Sequence, residues 1–215
     1  MLENLRFYSG FLTLISGCVG IFFWYKLPSR KAKLFLFSIW ISIIMDFIGT
    51  NFTIWTGLLN YWVYNSYMFI VFIIYILLLK LILKKLAYKY IASFFLLFFI
   101  VISIVNWCFL QNGFDNILTY TYAIGVIFIT ILSSFYLFEL FSTNLILNYS
   151  KSIFFWFVVG ILIFHIPFLP FMLSLEWFLI DYQSTIYGMI LFFLNLLMNT
   201  SFVIGFIWSE KKYNY

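Results

Sequence analysis

Charged residues are scarce in this chain: Asp, Glu, Lys and Arg make up only 9% of its 215 residues. A typical soluble domain is about a quarter charged, so this chain has too few charges to cover the surface of a water-soluble globule of its size. Hydrophobic residues make up 66% of it, and Phe alone occurs 31 times. Most of the surface must therefore face lipid. No stretch is polar enough for a separate soluble domain, so we predict a single membrane domain over residues 1–215.

Histidine and cysteine are also rare, with one and two copies. A single histidine excludes a multi-histidine metal site, and Cys18 and Cys108 fall inside apolar segments, where a disulfide framework is not expected. The sequence contains no HExxH, no GxSxG and no phosphate-binding glycine-rich loop. The last apolar segment has no lysine before Lys211, whereas a retinal Schiff base would need one in its middle. We therefore expect no metal, no cofactor and no catalytic residue.

Long apolar segments, by contrast, are abundant. A transmembrane helix needs roughly 20 apolar residues, and seven segments meet that requirement, while no alternating pattern typical of a β-barrel recurs. The seven segments are Phe7–Tyr25, Leu34–Ile54, Trp62–Leu83, Tyr90–Leu110, Ile117–Phe141, Ile153–Leu173 and Thr185–Trp208. The sequence thus predicts an all-α polytopic membrane protein with seven transmembrane helices.

The distribution of lysine and arginine predicts the orientation of these helices. Of the 12 basic residues, 11 fall in the first, third and fifth connections and the C-terminal tail, and only Arg6 falls on the other side. Cytoplasmic connections carry the positive excess, so we predict an outer N-terminus and a cytoplasmic C-terminus. The acids Glu3, Asp115, Glu176 and Asp181 all fall on the predicted outer side.

Four polar residues inside the predicted helices are candidates for a site, because ionisable groups in lipid are costly. Counted from the nearest cytoplasmic lysine at 1.5 Å per residue, Asp46 and His165 both lie roughly 20 Å into the membrane, and Asn199 roughly 18 Å. Asn195 lies one turn further out on the same face of its helix. We predict that Asp46, His165, Asn195 and Asn199 form either an outer-facing pocket for a ligand or proton, with Asp46 close to His165, or a hydrogen-bond network that joins helices.

The third connection carries a group of lysines at the predicted cytoplasmic surface: Lys80, Lys84, Lys85 and Lys89. They are expected to reach the headgroup layer and to contact anionic lipid or a cytoplasmic protein partner. Glu139, at the inner end of the fifth helix, either reaches water or pairs with Lys80. Direct nucleic-acid binding is not expected, because the basic residues sit in short clusters between apolar segments, as membrane orientation requires.

Several short stretches carry a resemblance to a known group of proteins. They are Asn60–Tyr67, Phe155–Gly160, Asn195–Asn199 and Ile204–Trp208, together with the acid at Asp46. They resemble a family of uncharacterised bacterial seven-span integral membrane proteins, which look like membrane sensors or accessory proteins of signalling loci. The chain departs from that pattern at Asp46, where the resemblance would place Glu.

The composition carries a second resemblance. Its richness in Phe, Ile, Lys, Asn and Tyr, and its size, are similar to those of the multi-spanning accessory membrane protein of type VI-B CRISPR loci, which would imply modulation of an RNA-targeting defence effector. The leading interpretation is a non-enzymatic membrane protein with a sensing or regulatory role. The alternatives are an accessory membrane protein or channel of a phage-defence system, and an intramembrane hydrolase that uses Asp46 and His165.

Overall fold

Seven long helices make up most of the computed structural model, which describes residues 5–142, 144–177 and 185–214. Glu3 and Asp181, two of the predicted outer acids, lie outside that part of the chain. The helices are α1 (Leu5–Phe22), α2 (Arg30–Thr56), α3 (Tyr61–Ile82), α4 (Leu86–Val105), α5 (Thr119–Phe141), α6 (Ile153–Trp177) and α7 (Thr185–Trp208). A π-helix, Asn106–Leu110, follows α4, and short 3-10 helices occur at Trp24–Lys26, Asn144–Lys151 and Lys211–Tyr213.

Six of the helices, α2 to α7, are long and apolar enough to cross a membrane. The shortest of their apolar segments has 22 residues, which is about 33 Å of helix at 1.5 Å per residue, against a hydrocarbon core about 30 Å thick. The described part of α1 forms a shorter apolar helix, Tyr8–Phe22. The prediction of a multi-pass α-helical membrane protein is thereby confirmed.

The order in which the helices pack explains where the core lies. A ring runs from α1 through α2, α3, α5, α6 and α7 and back to α1, and α4 packs outside it against α3 and α5. Many side chains of α3 are buried, whereas α4 buries only Ala92, Phe99 and Ser103. At one end of this closed arrangement of helices, the aromatic side chain of Phe35 packs against those of Phe157, Phe202 and Phe206, at centroid distances of 5.1, 5.0 and 5.3 Å.

Small residues allow α1 to approach its two neighbours closely. A Cβ atom at Gly20 would lie 2.8 Å from the Phe206 ring of α7 and would also collide with Leu36 of α2. Towards the other end of α1, a Cβ atom at Gly10 would lie 2.8 Å from the Asp46 carboxylate. These contacts make α1 antiparallel to α2 over most of its length. Close approach through small residues is a common way for helices to pack in membranes.

The C-terminal tail is tied to the end of the bundle that carries the basic connections. Asn214 is fully buried, and its side-chain oxygen accepts a hydrogen bond of 2.9 Å from the Ile153 N–H. Its side-chain nitrogen donates to the Lys26 carbonyl and to Ser209 Oγ, at 3.0 and 3.1 Å. Ser29 Oγ donates to the Asn214 carbonyl. One side chain therefore links the α1–α2 connection, the start of α6 and the end of α7.

Ion pairs hold the same end of the bundle. Glu210 pairs with Lys151 at 2.8 Å and with Lys212 at 3.1 Å, and the hydrogen bonds from these two ammonium groups lower the pKa of the Glu210 carboxyl. Lys26 Nζ donates to the Ile207 carbonyl, and its partial burial lowers the pKa of the ammonium group. The end of α7 is thus held to the α1–α2 connection and to the α5–α6 connection by charged side chains as well as by neutral hydrogen bonds.

At the opposite end, Asn65 of α3 holds the connection between α4 and α5. Its amide nitrogen donates to the carbonyls of Gly113 and Asn116, each at 2.8 Å, and its oxygen accepts from the Leu118 N–H at 3.1 Å. Asn65 is 1% exposed. Three backbone groups of this connection therefore find their partners in one buried side chain of α3.

Candidate functional site

His165 lies at the centre of the bundle in a cage of aromatic rings. It is 6% exposed, and its Nδ1 atom is hydrogen-bonded to the Tyr122 hydroxyl at 2.9 Å. The rings of Phe72 and Tyr75 from α3 lie 5.3 and 5.9 Å from the imidazole, centroid to centroid, and that of Phe164 from its own helix lies at 5.0 Å. The side chains of α3, α5 and α6 therefore fix the position of this ring.

Tyrosines connect this cage to α2. The Tyr67 hydroxyl donates to Ser42 Oγ of α2 at 3.0 Å, and the buried Tyr67 side chain lies within electrostatic range of Asp46, Tyr75 and Tyr122. We call Tyr67, Tyr75, Tyr122 and His165 the tyrosine–histidine cluster. The three tyrosines were missed by the sequence analysis, although Tyr67 and Tyr75 are eight residues apart and so lie on one face of α3.

We predict that Asp46 and His165 approach each other, directly or through water; the structure places the two side chains at different levels along α3. The hydrogen bond of His165 is to Tyr122. Its ring packs at the level of Phe72, whereas Asp46 lies near Tyr67, five residues away on α3 or about 7.5 Å along its axis. The predicted depths of Asp46 and His165 were counted from the nearest lysine in the sequence, but α2 and α6 begin at different points relative to those lysines. Asp46 lies sixteen residues after the start of α2, and His165 twelve after the start of α6.

Of the two predicted asparagines, Asn199 joins α7 to α1. Ser16 Oγ donates to Asn199 Oδ1 at 2.7 Å, and the Asn199 amide nitrogen contacts Thr13 Oγ1 at 3.3 Å. The Asn195 side chain donates to the Leu191 carbonyl of its own helix. Asn199 is 2% exposed, so this group fits a hydrogen-bond network between helices better than the wall of an open pocket.

Two cavities lined by described residues can be compared with the predicted pocket. One, of about 640 Å³, lies beside α1 and the first half of α2. The other, of about 170 Å³, lies between α3 and the end of α4. Neither is lined by Asp46, His165, Asn195 or Asn199. The four residues are thus divided among separate contacts and do not line either cavity.

The geometry around Ser42 does not suit a serine hydrolase. Its hydroxyl accepts from Tyr67 and donates to the Ser38 carbonyl, so neither hydrogen bond is to an imidazole or a carboxylate that could act as a general base. His165 is turned towards Tyr122 instead. Among the described residues, no group of three His, Cys, Asp or Glu side chains is placed to hold a metal ion.

Glu139 has a structural role that the sequence analysis did not foresee. Its two carboxylate oxygens accept hydrogen bonds from the backbone N–H groups of Lys84 and Lys85, at 2.8 and 2.7 Å, and the residue is 8% exposed. The two N–H groups directly precede α4. Glu139 of α5 therefore caps the start of α4 and partners backbone groups, rather than reaching water or pairing with Lys80.

The lysines of the third connection lie at the same end of the bundle as Asn214. Lys85 Nζ lies 5.3 Å from the centres of both the Tyr88 and Phe138 rings. Lys84 and Lys89 lie within electrostatic range of Lys31 at the start of α2, while Lys80 is half-buried on α3. The basic residues of two connections thus form a shared positive surface.

Comparison with protein-family models, with curated proteins and with solved structures finds no match to this chain. The argument for its function therefore rests on its own residues.

Proposed function

We propose that this protein is a non-enzymatic bacterial inner-membrane protein with seven spans and a sensing or regulatory role. The observation that carries the proposal is the tyrosine–histidine cluster, in which Tyr67 bonds to Ser42 of α2 and Tyr122 of α5 bonds to His165 of α6, with Asp46 within electrostatic range of Tyr67. Two ionisable residues from different helices thus lie close to one group of buried tyrosines in an otherwise apolar bundle.

A structural role alone does not require such residues. Helices in a membrane can be joined by uncharged polar side chains, as Ser16 and Asn199 join α1 and α7 here. A carboxylic acid and an imidazole are more costly at membrane depth, and such groups usually mark functional positions. Because the cluster touches four helices, a change in its hydrogen bonds would alter how those helices pack, which is what a sensing element needs.

The positive surface supports a regulatory role on the cytoplasmic side. Lys31, Lys84 and Lys89 come together from two connections, and none of them forms an ion pair with an acid in the described part of the chain. Unneutralised cations at this end of the bundle attract anionic lipid headgroups or an acidic surface of a protein partner. We infer that signals from the bundle reach a cytoplasmic partner at this surface.

The contacts of α1 support seven spans with a cytoplasmic C-terminus. α1 has 18 residues, about 27 Å of helix, and it lies alongside both α2 and α7. The C-terminal tail bonds to the α1–α2 connection and to the start of α6, which places the basic connections and the tail at one end. That end is the cytoplasmic one by the distribution of positive charge.

We expect a reporter that is active only outside the cytoplasm to be active when fused between α2 and α3, and inactive when fused after Tyr215. The reason is the concentration of lysine and arginine at the end that holds the tail. Alkaline phosphatase activity in intact cells is the measurement, and a fusion within the α3–α4 connection is the matched inactive control. Activity of the C-terminal fusion would refute the proposed orientation.

We expect Asp46→Asn and His165→Phe to abolish the same transcriptional responses as deletion of the whole gene, while membrane abundance of the protein stays near that of the wild type. The physical reason is that Asp46→Asn removes the acid beside the cluster and His165→Phe removes the hydrogen bond to Tyr122, while each new side chain fills nearly the same space. RNA sequencing of host cells and immunoblots of their membranes measure the two quantities.

Ser134→Ala is the matched control, because Ser134 is exposed on α5 and its hydroxyl bonds only to the Thr130 carbonyl of its own helix. This variant should respond like the wild type. Full responses in both cluster variants would show that the cluster only joins helices. A loss of membrane abundance in both would lead to the same conclusion.

A further inference from the structure

A groove of about 640 Å³ runs along the outside of the bundle where α1 ends and α2 begins. Its walls are mainly apolar, and they include Ile21 of α1 and Leu34, Phe37 and Trp40 of α2. Ile21 and Phe37 are 52% and 56% exposed, so no described part of the chain covers them. The volume is in the range of pockets that take a small ligand, about 300–1,000 Å³.

Two cations line this otherwise apolar groove. Arg30 and Lys33 are both exposed, and Lys33 Nζ is held 5.2 Å from the centre of the Trp24 ring. Neither forms an ion pair with an acid among residues 5–142, 144–177 and 185–214. Arg30 is also the first residue of α2, and the positive end of the helix dipole adds to the attraction for an anion at this point.

We propose that this groove binds one anionic phospholipid of the cytoplasmic leaflet. Its acyl chain lies against Ile21, Leu34 and Phe37, and its phosphate group lies between Arg30 and Lys33. A guanidinium group can bind phosphate oxygens through two parallel hydrogen bonds. The surface around the groove faces lipid in a membrane, and the unneutralised pair of cations selects a headgroup with net negative charge over a zwitterionic one.

This site is distinct from the tyrosine–histidine cluster and from the surface formed by Lys31, Lys84 and Lys89. Neither cavity is lined by Lys31, Lys84 or Lys89. The groove offers cations for the headgroup and an apolar wall for the acyl chain. Occupation by a lipid would brace the α1–α2 connection, to which the C-terminal tail is also bonded.

The test is native mass spectrometry of the purified full-length protein with phosphatidylglycerol and phosphatidylcholine of identical acyl chains. We expect the wild type to bind one phosphatidylglycerol molecule preferentially. Arg30→Gln combined with Lys33→Gln should weaken that binding by about thirtyfold, roughly fivefold for each cation near the surface. Arg30→Lys combined with Lys33→Arg keeps both charges and should retain the preference.

Two further variants separate the groove from general attraction. Lys211→Gln removes an exposed cation elsewhere at the same end of the bundle and should change the binding little. Leu34→Trp narrows the groove without changing its charge and should weaken the binding of both lipids. The proposal is overturned if the Arg30/Lys33 double variant binds like the wild type, if Lys211→Gln loses as much binding as that double variant, or if Leu34→Trp has no effect.

Discussion

Replacing Glu139 by Ala should lower the free energy of unfolding by about 3 kcal/mol, since each hydrogen bond to a charged group contributes about 1.5–3 kcal/mol and these two are only partly buried. The Glu139 carboxylate accepts from two backbone N–H groups, those of Lys84 and Lys85, at the start of α4. Alanine removes the acceptor of both donors. Reversible unfolding in detergent measures the change.

Glu139→Gln is the informative comparison for this prediction. Its amide oxygen can still accept a hydrogen bond, whereas its NH₂ group would face a donor, so we expect about half the loss of the alanine variant. Amide hydrogen exchange at Lys84 and Lys85 should be faster in the glutamine variant than in the wild type, and fastest in the alanine variant. An alanine variant as stable as the wild type would show that Glu139 does not cap α4.

Replacing Asn214 by Ala should release the C-terminal tail and lower the free energy of unfolding by about 3 kcal/mol, because buried groups left without partners cost about 1–3 kcal/mol each. The change removes the acceptor of the Ile153 N–H and the donor to the Lys26 carbonyl and Ser209 Oγ. Limited proteolysis of inverted membrane vesicles measures tail release, and thermal unfolding measures stability.

Asn214→Asp keeps the oxygen that accepts from Ile153 but replaces the donating nitrogen by a second oxygen beside the Lys26 carbonyl. We expect this variant to lose as much stability as the alanine variant or more, because two acceptors would then face each other. If the tail of either variant resists protease as well as the wild-type tail does, the clamp described for Asn214 does not hold the tail in place.

The positions of the long helices could be predicted because hydropathy reports directly on contact with lipid. The predicted span Thr185–Trp208 coincides with α7, and Ile153 begins both the sixth predicted span and α6. Span ends were less predictable, since they depend on local hydrogen bonds. The first predicted span extended to Tyr25, but α1 ends at Phe22 and a 3-10 turn follows.

The contacts of the polar residues could not be predicted, because they depend on helix order and on backbone partners. The sequence places Asp46 and His165 at a similar depth, but it does not show that Tyr67 bonds to Ser42 of α2 or that Tyr122 bonds to the histidine. Glu139 illustrates the second difficulty. Its partners are backbone N–H groups, and no side-chain pattern in a sequence marks those as the partners of an acid.

The position of α1 between α2 and α7 has a consequence for the synthesis of the protein. In the proposed seven-span arrangement, helices enter the membrane in the order in which the ribosome makes them, so α1 and α2 can pair early, whereas α7 arrives after all the others. Until then, the hydroxyl groups of Thr13 and Ser16, which later meet Asn199, lack that partner. The face of α1 that carries Gly20 also remains open to lipid or to the insertion machinery. The first helix therefore reaches its final environment only when the last one has been inserted, and a chain halted before α7 would display this uncovered face to membrane proteases.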